Sequence, residues 1–590
     1  MRHRALLKRA GACLLATCAA LTGVIAHAQA MPGAPERPSG WIDKAPVTSR
    51  HFMVAAAHPL ATRAGYEILR AGGNAIDAAI AVQLVLGLVE PQSSGLGGGA
   101  FLLYHDARTK RLIAYDGRET APAAATPERF LGADGKPLAF YDAVVGGRSV
   151  GVPGTVKLLE TVHRRHGRLP WAQLFRRAIA LAENGFAVSP RLHTLIARET
   201  HWSQARARDY FITPEGHARA SGSLLRNPAY ARTLRLLAAQ GPKAFYTGPI
   251  ADDILRTADQ ATRNPGDLAH SDLARYRVKV REPVCDDYRS YRVCGMPLPS
   301  SGGLGVLQVL KMLEPYDVAA MGPASFWSAH FASEAERLAY ADRSVYMADP
   351  DFFRAPAGLL DGDYLHARSM LISTNRSIGT ALPGDPARHG ANARQLARGS
   401  DAAADFPSTS QIAIVDRDGN AVSMTTTIEN GFGSRLMTEG GFLLNNELTD
   451  FSFVPFDHDK PVANRVEPGK RPRSSMAPTI VYDRAGRVAI ITGSPGGSAI
   501  IDYVVKMLLA IIDWKLDPQA ATALPNFGSR NGPTELEKDT AVAALAPKLR
   551  ALGHEVRVIR QTSGVQAIVR TRTGWIGGAD PRREGVVMGD

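Results

Sequence analysis

The sequence predicts a fold of the α/β (α+β) class, in which a largely helical N-terminal part joins a sheet-centred C-terminal part. Hydrophobic residues make up 45% and charged residues 21% of the 590 residues, as in globular proteins. Helical periodicity dominates before about residue 400, and short apolar or alternating runs dominate after it. Because no repeat with a solenoid period is present, we expect one composite domain.

The N-terminus has the pattern of a secretory signal peptide. Four basic residues, Arg2, Arg4, Lys8 and Arg9, precede the apolar run AGACLLATCAALTGVI, and AHA (26–28) and AQA (28–30) offer cleavage sites. The apolar run is shorter than the roughly 20 residues that span a bilayer, so no stable membrane anchor is expected. LATC resembles a lipoprotein box only loosely. We therefore interpret residues 1–30 as a signal peptide and expect a periplasmic or secreted protein.

The charge of the chain is basic but dispersed. Removing the signal peptide removes four basic and no acidic residues, which lowers the formal net charge from +13 to +9. The remaining charge is spread along the chain rather than gathered in a block. This pattern argues against a dedicated nucleic-acid surface, so no nucleic-acid partner is expected.

Two of the four cysteines lie in the signal peptide, and Cys285 and Cys294 remain. They flank DDYRSYRV, which is typical of a hairpin with a polar turn. In an oxidising compartment this pair predicts a disulfide. Two unpaired thiols are the alternative, because the sequence does not establish that the side chains face each other.

Before residue 400 the pattern predicts helices separated by loops rich in Pro and Gly. PLATRAGYEILRAG and NAIDAAIAVQLVLGLV form a helix pair, with Gly72 and Gly73 as the stop and Asn74 as the next cap. A glycine-rich stretch then leads into a strand. Further helices are predicted near Thr155–His166, Trp171–Asn184, Gly305–Leu313 and Ala329–Tyr346.

After residue 400 the pattern predicts strands. They are QIAIVD, AVSMTTTI, GGFLLNN, PTIVYD and VAIITGS, followed by one long apolar helix, SAIIDYVVKMLLAIIDW. The preceding segment LARGSDAAADFPS (396–408) is small, polar and irregular. It is typical of a flexible surface connection that is suited to cutting.

Two glycine motifs are poor candidates for a site. GLGGGA (95–100) lacks a preceding strand and leads into a strand, which disfavours dinucleotide binding. GRSVG (147–151) has the spacing of a nucleophile elbow, but Pro153 and Gly154 delay the helix, which favours a simple turn. Neither HExxH nor a phosphate loop occurs, so we expect no metal and no cofactor.

Three later motifs are better placed. GSPGGS (493–498) lies between a strand and a helix, where backbone N–H groups can hold an oxyanion, although a simple turn is an equal alternative. RPRSSMAPTIV offers the hydroxyls of Ser474 and Ser475, and GFLLNNELTDF offers the acids Glu447 and Asp450. Donors beside acids suit a zwitterion, yet each motif alone is more typical of a surface loop.

Six ordered blocks resemble the gamma-glutamyltranspeptidase family of N-terminal-nucleophile hydrolases, from about His51 to the end of the chain. They are DGRETAP, PSSGG, STSQIAIVDRDGNAVSMTTTI, LLNNELTDFS, RPRSSMAPTI and TGSPGGS. The resemblance implies a precursor that cuts itself between Ser408 and Thr409. The large subunit (31–408) and the small subunit (409–590) would stay together in a four-layer αββα sandwich.

The resemblance also implies the catalytic groups. A threonine hydroxyl is a weak nucleophile that needs a base, and cutting before Thr409 supplies an α-amine with a reference pKa of roughly 7.7–8.0. Thr427 matches the second threonine of the family, whose hydroxyl hydrogen-bonds the nucleophile. Gly496 and Gly497 match the oxyanion hole.

The same resemblance implies how a gamma-glutamyl group is bound. Arg118 would bind the α-carboxylate with help from Ser474 and Ser475. Three acids, Glu429, Glu447 and Asp450, would bind the α-ammonium. The implied activity transfers the gamma-glutamyl group of small molecules such as glutathione to water or to amino acids, without a cofactor.

Two departures and two alternatives stay open. Gln411 stands where many members have His, and the segment after Asp450 is of intermediate length, so a lid would use Phe453 or Phe456.

One alternative is a cephalosporin or glutaryl acylase of the same superfamily, whose acyl group would leave the three acids without a cationic partner. The other is an uncut periplasmic ligand-binding protein.

Overall fold

The computed structural model describes residues 40–389, 399–401 and 408–590. These residues belong to one compact unit. The predicted signal peptide lies outside the described residues, as does most of the predicted connection 396–408. No helix in the described ranges is long and apolar enough to cross a membrane.

The strands are numbered in chain order. They are β1 (Val47–Ser49), β2 (Met53–Ala56), β3 (Gly99–Asp106), β4 (Arg111–Gly117), β5 (Phe186–Ala187), β6 (Leu224–Leu225), β7 (Lys279–Arg281), β8 (Val284–Tyr288), β9 (Tyr291–Gly295), β10 (Thr409–Val415), β11 (Ala421–Thr427), β12 (Phe456–Asp457), β13 (Lys460–Pro461), β14 (Thr479–Tyr482), β15 (Val488–Gly493), β16 (Phe527–Gly528), β17 (Thr534–Glu537), β18 (Val556–Ile559), β19 (Gln566–Arg570), β20 (Trp575–Ala579) and β21 (Val586–Gly589).

The α-helices follow the same numbering. They are α1 (Pro59–Arg70), α2 (Ala75–Val89), α3 (Phe140–Val144), α4 (Thr155–His166), α5 (Arg176–Asn184), α6 (Pro190–Ile196), α7 (Ala205–Phe211), α8 (Pro228–Gln240), α9 (Lys243–Tyr246), α10 (Pro249–Asp259), α11 (His270–Arg275), α12 (Gly302–Leu313), α13 (Val318–Met321), α14 (Phe326–Tyr346), α15 (Gly362–Ser369), α16 (Ile500–Ile512), α17 (Pro518–Ala523) and α18 (Ala546–Ala551). The helices predicted before residue 400 are all present. The helix predicted at 171–184 begins with a 3₁₀ turn, Trp171–Phe175.

Two seven-stranded sheets form the centre of the fold. The first sheet has the order β21-β2-β10-β11-β3-β4-β7, and the second has the order β1-β20-β19-β15-β14-β9-β8. β10 and β11 contact β15 across the space between the sheets. Helices α1 and α2 pack on the outer side of the first sheet, and α12 and α16 pack on β8, β9 and β15 of the second. The predicted four-layer αββα sandwich is therefore confirmed.

Strand β10 illustrates why these sequences form central strands. Ile412 and Ile414 pack into the apolar core that contains α1 and α2, whereas Ala413 and Val415 pack into the core shared with the second sheet. A strand that is buried on both faces needs apolar residues at successive positions. The continuous run QIAIV meets this need and fixes Thr409 at the edge of the inter-sheet space.

Helix α2 is buried along its whole length. Asn74 caps it, and its side chain and that of Asp77 form a reciprocal capping box. All residues from Ala75 to Val89 are buried, which explains why the segment lacks a polar face. The helix ends at Val89, and the next residue, Glu90, places a buried carboxyl beside β10, where it accepts from the Ser410 hydroxyl.

One predicted strand is wrong. GGFLLNN makes only single bridges, Met437↔Leu443 and Gly97↔Leu444, and is not a strand. The Asn445 side chain donates to the carbonyls of Gly97 (2.7 Å) and Gly151 (2.9 Å), so a side chain takes the place of a ladder. This loop leads directly to the acids at 447 and 450.

The predicted hairpin with its disulfide is present. Cys285 of β8 lies opposite Cys294 of β9, and their sulfur atoms are bonded. The chain after β9 then meets the predicted serine pair, because the Ser474 amide donates to the Pro299 carbonyl (3.0 Å) and the Ser301 amide donates to the Ser474 carbonyl (2.8 Å). The hairpin therefore anchors the loop that supports Ser474.

Candidate active site

Thr409 and Thr427 lie opposite each other in the antiparallel pair β10–β11. The Thr427 hydroxyl donates to the carbonyl oxygen of Ser408 (2.7 Å) and accepts from the Glu429 amide (2.9 Å). The carbonyl of Ser408 belongs to the peptide bond that precedes Thr409. A hydroxyl donor on that oxygen withdraws electron density from the carbonyl carbon and prepares it for attack.

The residue before Thr409 is firmly held. Ser408 is fully buried, and its hydroxyl donates to the Gln92 carbonyl, which also accepts from the Phe432 amide (3.1 Å). Asp401 is also buried, and it pairs with Arg473 (2.9 Å) and Asn464 (2.9 Å). The expectation of a surface connection is therefore wrong at these two described positions, because polar side chains draw both of them into the protein.

The turn after β15 approaches the same place from the second sheet. A side chain at Gly493 would lie 2.5 Å from the Gln411 side chain, which shows how closely β15 meets β10. Gly496 and Gly497 follow with φ of 148° and 57°, values that favour glycine. A Cβ at Gly496 would lie 2.5 Å from the Tyr503 ring. Conformation and close packing therefore both explain Gly496, and conformation explains Gly497.

Arg118 lies at the centre of a buried charge cluster. Its guanidinium donates to Glu447 and Asp450, and also to the carbonyls of Pro472 (3.1 Å) and Arg473 (2.9 Å). The predicted carboxylate-binding residue thus pairs with two of the predicted ammonium-binding acids. These ion pairs raise the pKa of Arg118 despite its burial. The roles of all three residues in binding stay predictions.

A second buried carboxyl adjoins this cluster. Burial raises the pKa of Glu119 to about 8, and Arg118 opposes this rise. Burial also raises the pKa of Glu447 well above its ordinary range. The two carboxyls interact with each other, and both Glu119 oxygens and Oε2 of Glu447 have no donor among the described residues. Like charges in one dry site cannot both ionise, so the pair holds a proton at neutral pH.

Glu119→Gln is expected to flatten the pH dependence of stability. The Glu119 carboxyl stays protonated in the folded protein up to about pH 8, but ionises near 4.5 when the chain unfolds. Between these values the folded state binds more protons, so stability falls with rising pH by about 1.4 kcal/mol per unit. Glutamine reproduces the neutral form and should remove this contribution.

Urea unfolding at several pH values between 5 and 8 would measure this effect. As pH rises, the free energy of unfolding of Glu119→Gln should increase relative to that of the wild type. Glu128→Gln, at an exposed glutamate, is the matched control and should leave the pH dependence unchanged. Equal pH dependence in the wild type and Glu119→Gln would show that Glu119 is ionised in the folded protein.

Glu429 is one of several buried acids here that lack a full set of hydrogen-bond partners among the described residues. Its Oε2 accepts from the Asn446 side chain, whereas its Oε1 is buried without a hydrogen-bond partner among the described residues. Burial and the neighbouring acids Asp450 and Glu447 raise its pKa. Its φ of 74° is unusual for a non-glycine residue and signals local strain of the kind found at functional sites.

Ser474 and Ser475 lie beside the Arg118 cluster, because Arg118 binds the preceding carbonyls of Pro472 and Arg473. The Ser474 hydroxyl accepts from the Met476 amide (3.1 Å), and the Ser475 hydroxyl accepts from Arg343 (2.7 Å). Both serines are buried. The structure therefore brings the predicted binding serines, acids and arginine into one region.

The possible lid residues differ in exposure. Phe453 stacks on Phe130 with ring centroids 4.7 Å apart, inside a small apolar cluster. Phe456 is 44% exposed and has Arg465 over its ring. Of the two candidates, Phe456 is therefore the more exposed, and its part in a lid stays a prediction.

The glycines of GLGGGA serve packing. A side chain at Gly98 would overlap the carbonyl oxygen of Thr427, and Gly97 closely approaches Leu443. Ser149 of GRSVG is buried and donates to the carbonyls of Val144 (2.6 Å) and Gly146 (3.1 Å). Both motifs are therefore structural turns rather than sites.

A group of potential metal ligands lies elsewhere, at His330, Glu334 and His554. His330 Nδ1 and His554 Nε2 are 2.7 Å apart, and their other ring nitrogens bind the Ser373 carbonyl (2.8 Å) and the Thr534 hydroxyl (2.8 Å). Each ring nitrogen already has a protein partner. The group is thus a hydrogen-bonded link between α14 and the small sheet β16–β18.

Sequence reasoning missed several neighbours of the site. Glu90 accepts from the Ser410 hydroxyl (2.9 Å), and Arg583 donates to the Thr409 carbonyl (3.2 Å). Both come from distant parts of the chain and had no motif around them. Glu119 could have been predicted as a site residue, because it follows Arg118 in DGRETAP.

A four-layer αββα sandwich with a threonine at the start of a central strand is the architecture of the N-terminal-nucleophile hydrolases. The family model for gamma-glutamyltranspeptidase matches residues 61–590. The glutathione hydrolase proenzyme of Bacillus subtilis is 37% identical over 546 residues, which are 91% of each chain. That of Escherichia coli is 35% identical and covers 96% of this chain and 97% of its own.

Among solved structures, the cephalosporin acylase from Bacillus halodurans has a TM-score of 0.81 and 30% identity, and the match covers 93% of this chain and 97% of that one. The chain belongs to the gamma-glutamyltranspeptidase family.

Proposed function

We propose that this enzyme cuts itself before Thr409 and then transfers gamma-glutamyl groups from glutathione and related compounds to water or amino acids. The observation that carries the proposal is the Thr427 hydroxyl on the Ser408 carbonyl, directly before Thr409. The relatives named glutathione hydrolase proenzyme support it.

Self-cleavage needs no group beyond those at the site and water. The Thr409 hydroxyl attacks the Ser408 carbonyl carbon, and the C–N bond to Thr409 breaks as its nitrogen takes a proton. Ser408 is then held as an ester on Thr409, and water hydrolyses this ester. The products are a carboxylate at Ser408 and a free amine at Thr409.

The mature reaction repeats this chemistry on the substrate. The new amine accepts the hydroxyl proton, Thr409 attacks the gamma-amide, and the proton passes to the leaving amine. Gly496 and Gly497 stabilise the oxyanion, and Arg118, Ser474 and Ser475 hold the α-carboxylate. Water or an amino-acid amine then releases the gamma-glutamyl group from its ester on Thr409.

The choice between a gamma-glutamyl and a glutaryl group depends on the acids. Glu447 and Asp450 each pair with Arg118 through one oxygen, so the argument for an α-ammonium rests on Oε1 of Glu429 and Oε2 of Glu447, which have no partner among the described residues. A buried acceptor without a partner is costly, and an ammonium would satisfy it. A glutaryl group offers no such donor.

Hydrolysis of gamma-glutamyl anilide beside glutaryl anilide tests the proposal. A kcat/KM at least tenfold higher for the gamma-glutamyl compound is expected. Preference for the glutaryl compound would instead assign the acylase activity. Absence of cleavage of both the chain and the two anilides would favour the binding-protein alternative.

Thr427→Val is expected to slow self-cleavage by about 10²–10³-fold. Valine keeps the shape of threonine but removes the donor to the scissile carbonyl, and loss of one such donor typically has this effect. The fraction of two-chain protein would be followed over time on denaturing gels. Thr427→Ser keeps the hydroxyl and should cut within tenfold of the wild-type rate; equal rates for valine and wild type would exclude this role.

We further propose that residues 31–408 and 409–590 form the two subunits and that the protein is exported. The signal-like N-terminus and the Cys285–Cys294 disulfide support export. N-terminal sequencing of protein from the periplasmic fraction should find one chain that starts at residue 29 or 31 and one that starts at Thr409. A chain that starts at Met1 would argue against export.

A further inference from the structure

Arg583 lies between the two halves of the active site. One of its nitrogens donates to the Thr409 carbonyl (3.2 Å), and its side chain is almost fully buried. It also packs beside the turn that holds the oxyanion glycines, because a Cβ at Gly564 would lie 2.6 Å from Pro495 and 2.7 Å from Arg583. A permanent positive charge is thus fixed against the residue that becomes the new N-terminus.

The segment that carries Arg583 is held rigidly. The ammonium of Lys44 donates to the carbonyls of Asp580 (2.7 Å), Arg583 (2.7 Å) and Gly585 (2.6 Å). Three contacts from one side chain define the backbone on both sides of Arg583. This anchored backbone, the burial of the side chain and the bond to the Thr409 carbonyl together fix the position of the guanidinium.

We propose that Arg583 is a positioning residue that keeps the Thr409 α-amine neutral at working pH, and the proposal rests on the proposed function. A cation beside an ammonium group disfavours its charged form and lowers its pKa. The amine must be neutral to accept the hydroxyl proton of Thr409. A lower pKa therefore makes more of the enzyme active near neutral pH.

Other charged groups surround this position. Glu90, at the end of α2, binds Ser410 and pairs with Arg191 of α6 (3.5 Å), whose amide binds Glu584 (2.8 Å). On the other side lie Glu429, whose amide binds Thr427, and the Arg118 group with Glu119, Glu447 and Asp450.

The contribution of Arg583 outweighs that of the nearest acid. Arg583 donates to the Thr409 carbonyl itself, whereas Glu90 accepts from Ser410, whose side chain points to the opposite face of β10. The charges of Arg583 and Glu90 also act on each other, and Arg583 lowers the pKa of this carboxyl. Burial raises the pKa of Glu90 to about 7, so this carboxyl is partly neutral where arginine is fully charged. Burial and the neighbouring acids also raise the pKa of Glu429, and burial raises that of Glu119 to about 8.

The test is the pH profile of kcat/KM for gamma-glutamyl anilide hydrolysis by self-cleaved protein. The acid limb is the low-pH side of this profile, where kcat/KM falls as the amine becomes protonated. In Arg583→Met this limb should move up by about one pH unit, so that kcat/KM at a pH well below its midpoint falls about tenfold relative to wild type. Arg583→Lys keeps the charge and should leave the limb within about 0.3 unit. A change in folding alone would lower the plateau without moving the limb.

Arg191→Met is the matched control. It removes the same charge from the same cluster but not from contact with Thr409, and the loss of Arg191 raises the pKa of Glu90 further. Its limb should move by less than about 0.3 unit. An unshifted limb in Arg583→Met, or an equal shift in Arg191→Met, would overturn the inference.

Should Arg583→Met remain a single chain, Arg583→Lys decides alone. A limb that stays in place with the charge retained supports the inference, and a limb that moves by a full unit overturns it. Loss of gamma-glutamyl hydrolysis in the wild type would be a failure of the proposed function instead. An active wild type with an unmoved limb in Arg583→Met would be a failure of this inference only.

Discussion

Thr409→Ala is expected to stay a single chain and to lose gamma-glutamyl hydrolysis by more than about a thousandfold. Alanine removes the hydroxyl that we propose attacks the Ser408 carbonyl, so no α-amine would form at residue 409. The variant then lacks nucleophile and base together, and groups that act as a unit fail together. Intact masses, N-terminal sequences and anilide hydrolysis would measure both losses.

Thr426→Ala is the matched control for this variant. Thr426 is the neighbour of Thr427 in β11 and bonds the Gly99 carbonyl (3.3 Å). The Thr426→Ala variant loses the same side-chain atoms as Thr409→Ala, but it should still cut itself and retain activity. A Thr409→Ala protein that still separates into two chains would place the cut or the nucleophile elsewhere.

Arg118→Met is expected to destabilise the folded protein by about 3–5 kcal/mol and to abolish substrate binding. The guanidinium pairs with two buried acids, and its removal leaves both without a compensating charge. The carboxylate of the substrate would also meet a negative rather than a positive region. Urea unfolding and the KM of any residual activity would report the two effects.

Arg235→Met provides the comparison for Arg118→Met. Arg235 pairs with Glu183 at the surface, where both side chains are substantially exposed. An exposed pair contributes about 0–1 kcal/mol, so stability and KM should barely change. Equal stability of the two variants would mean that the Arg118 cluster is hydrated rather than dry.

The elements of the fold that could be predicted are those with a strong local pattern. Asn74 and the apolar run after it define α2, and QIAIV defines β10, because burial on both faces demands such runs. The prediction for GGFLLNN was wrong because its apolar run does not pair with a neighbouring strand. The Asn445 side chain instead makes the hydrogen bonds that link this segment to its neighbours. The four-layer arrangement came from the family resemblance.

The site was predictable where its residues lie in motifs. Thr409, Thr427, Arg118 and the serine pair all stand in recognisable blocks, and the structure brings them into one region. Their ionic state was not predictable, since the pairing of Arg118 with Glu447 joins residues 329 positions apart. Arg583 and Glu90 were not predictable for the same reason, because only the packing of the sheets places them beside β10.

The strand order of the first sheet makes the two proposed subunits inseparable in one respect. Strands β10, β11 and β21 from after Thr409 alternate with β2 and β3 from before it, so neither chain holds a complete sheet. Once the bond is cut, the covalent link that holds the two halves together during folding is lost. Refolding then requires two separate chains to meet. The mature enzyme should therefore owe its lifetime to a slow rate of unfolding, and heat should inactivate it irreversibly while the uncut Thr409→Ala protein can still refold.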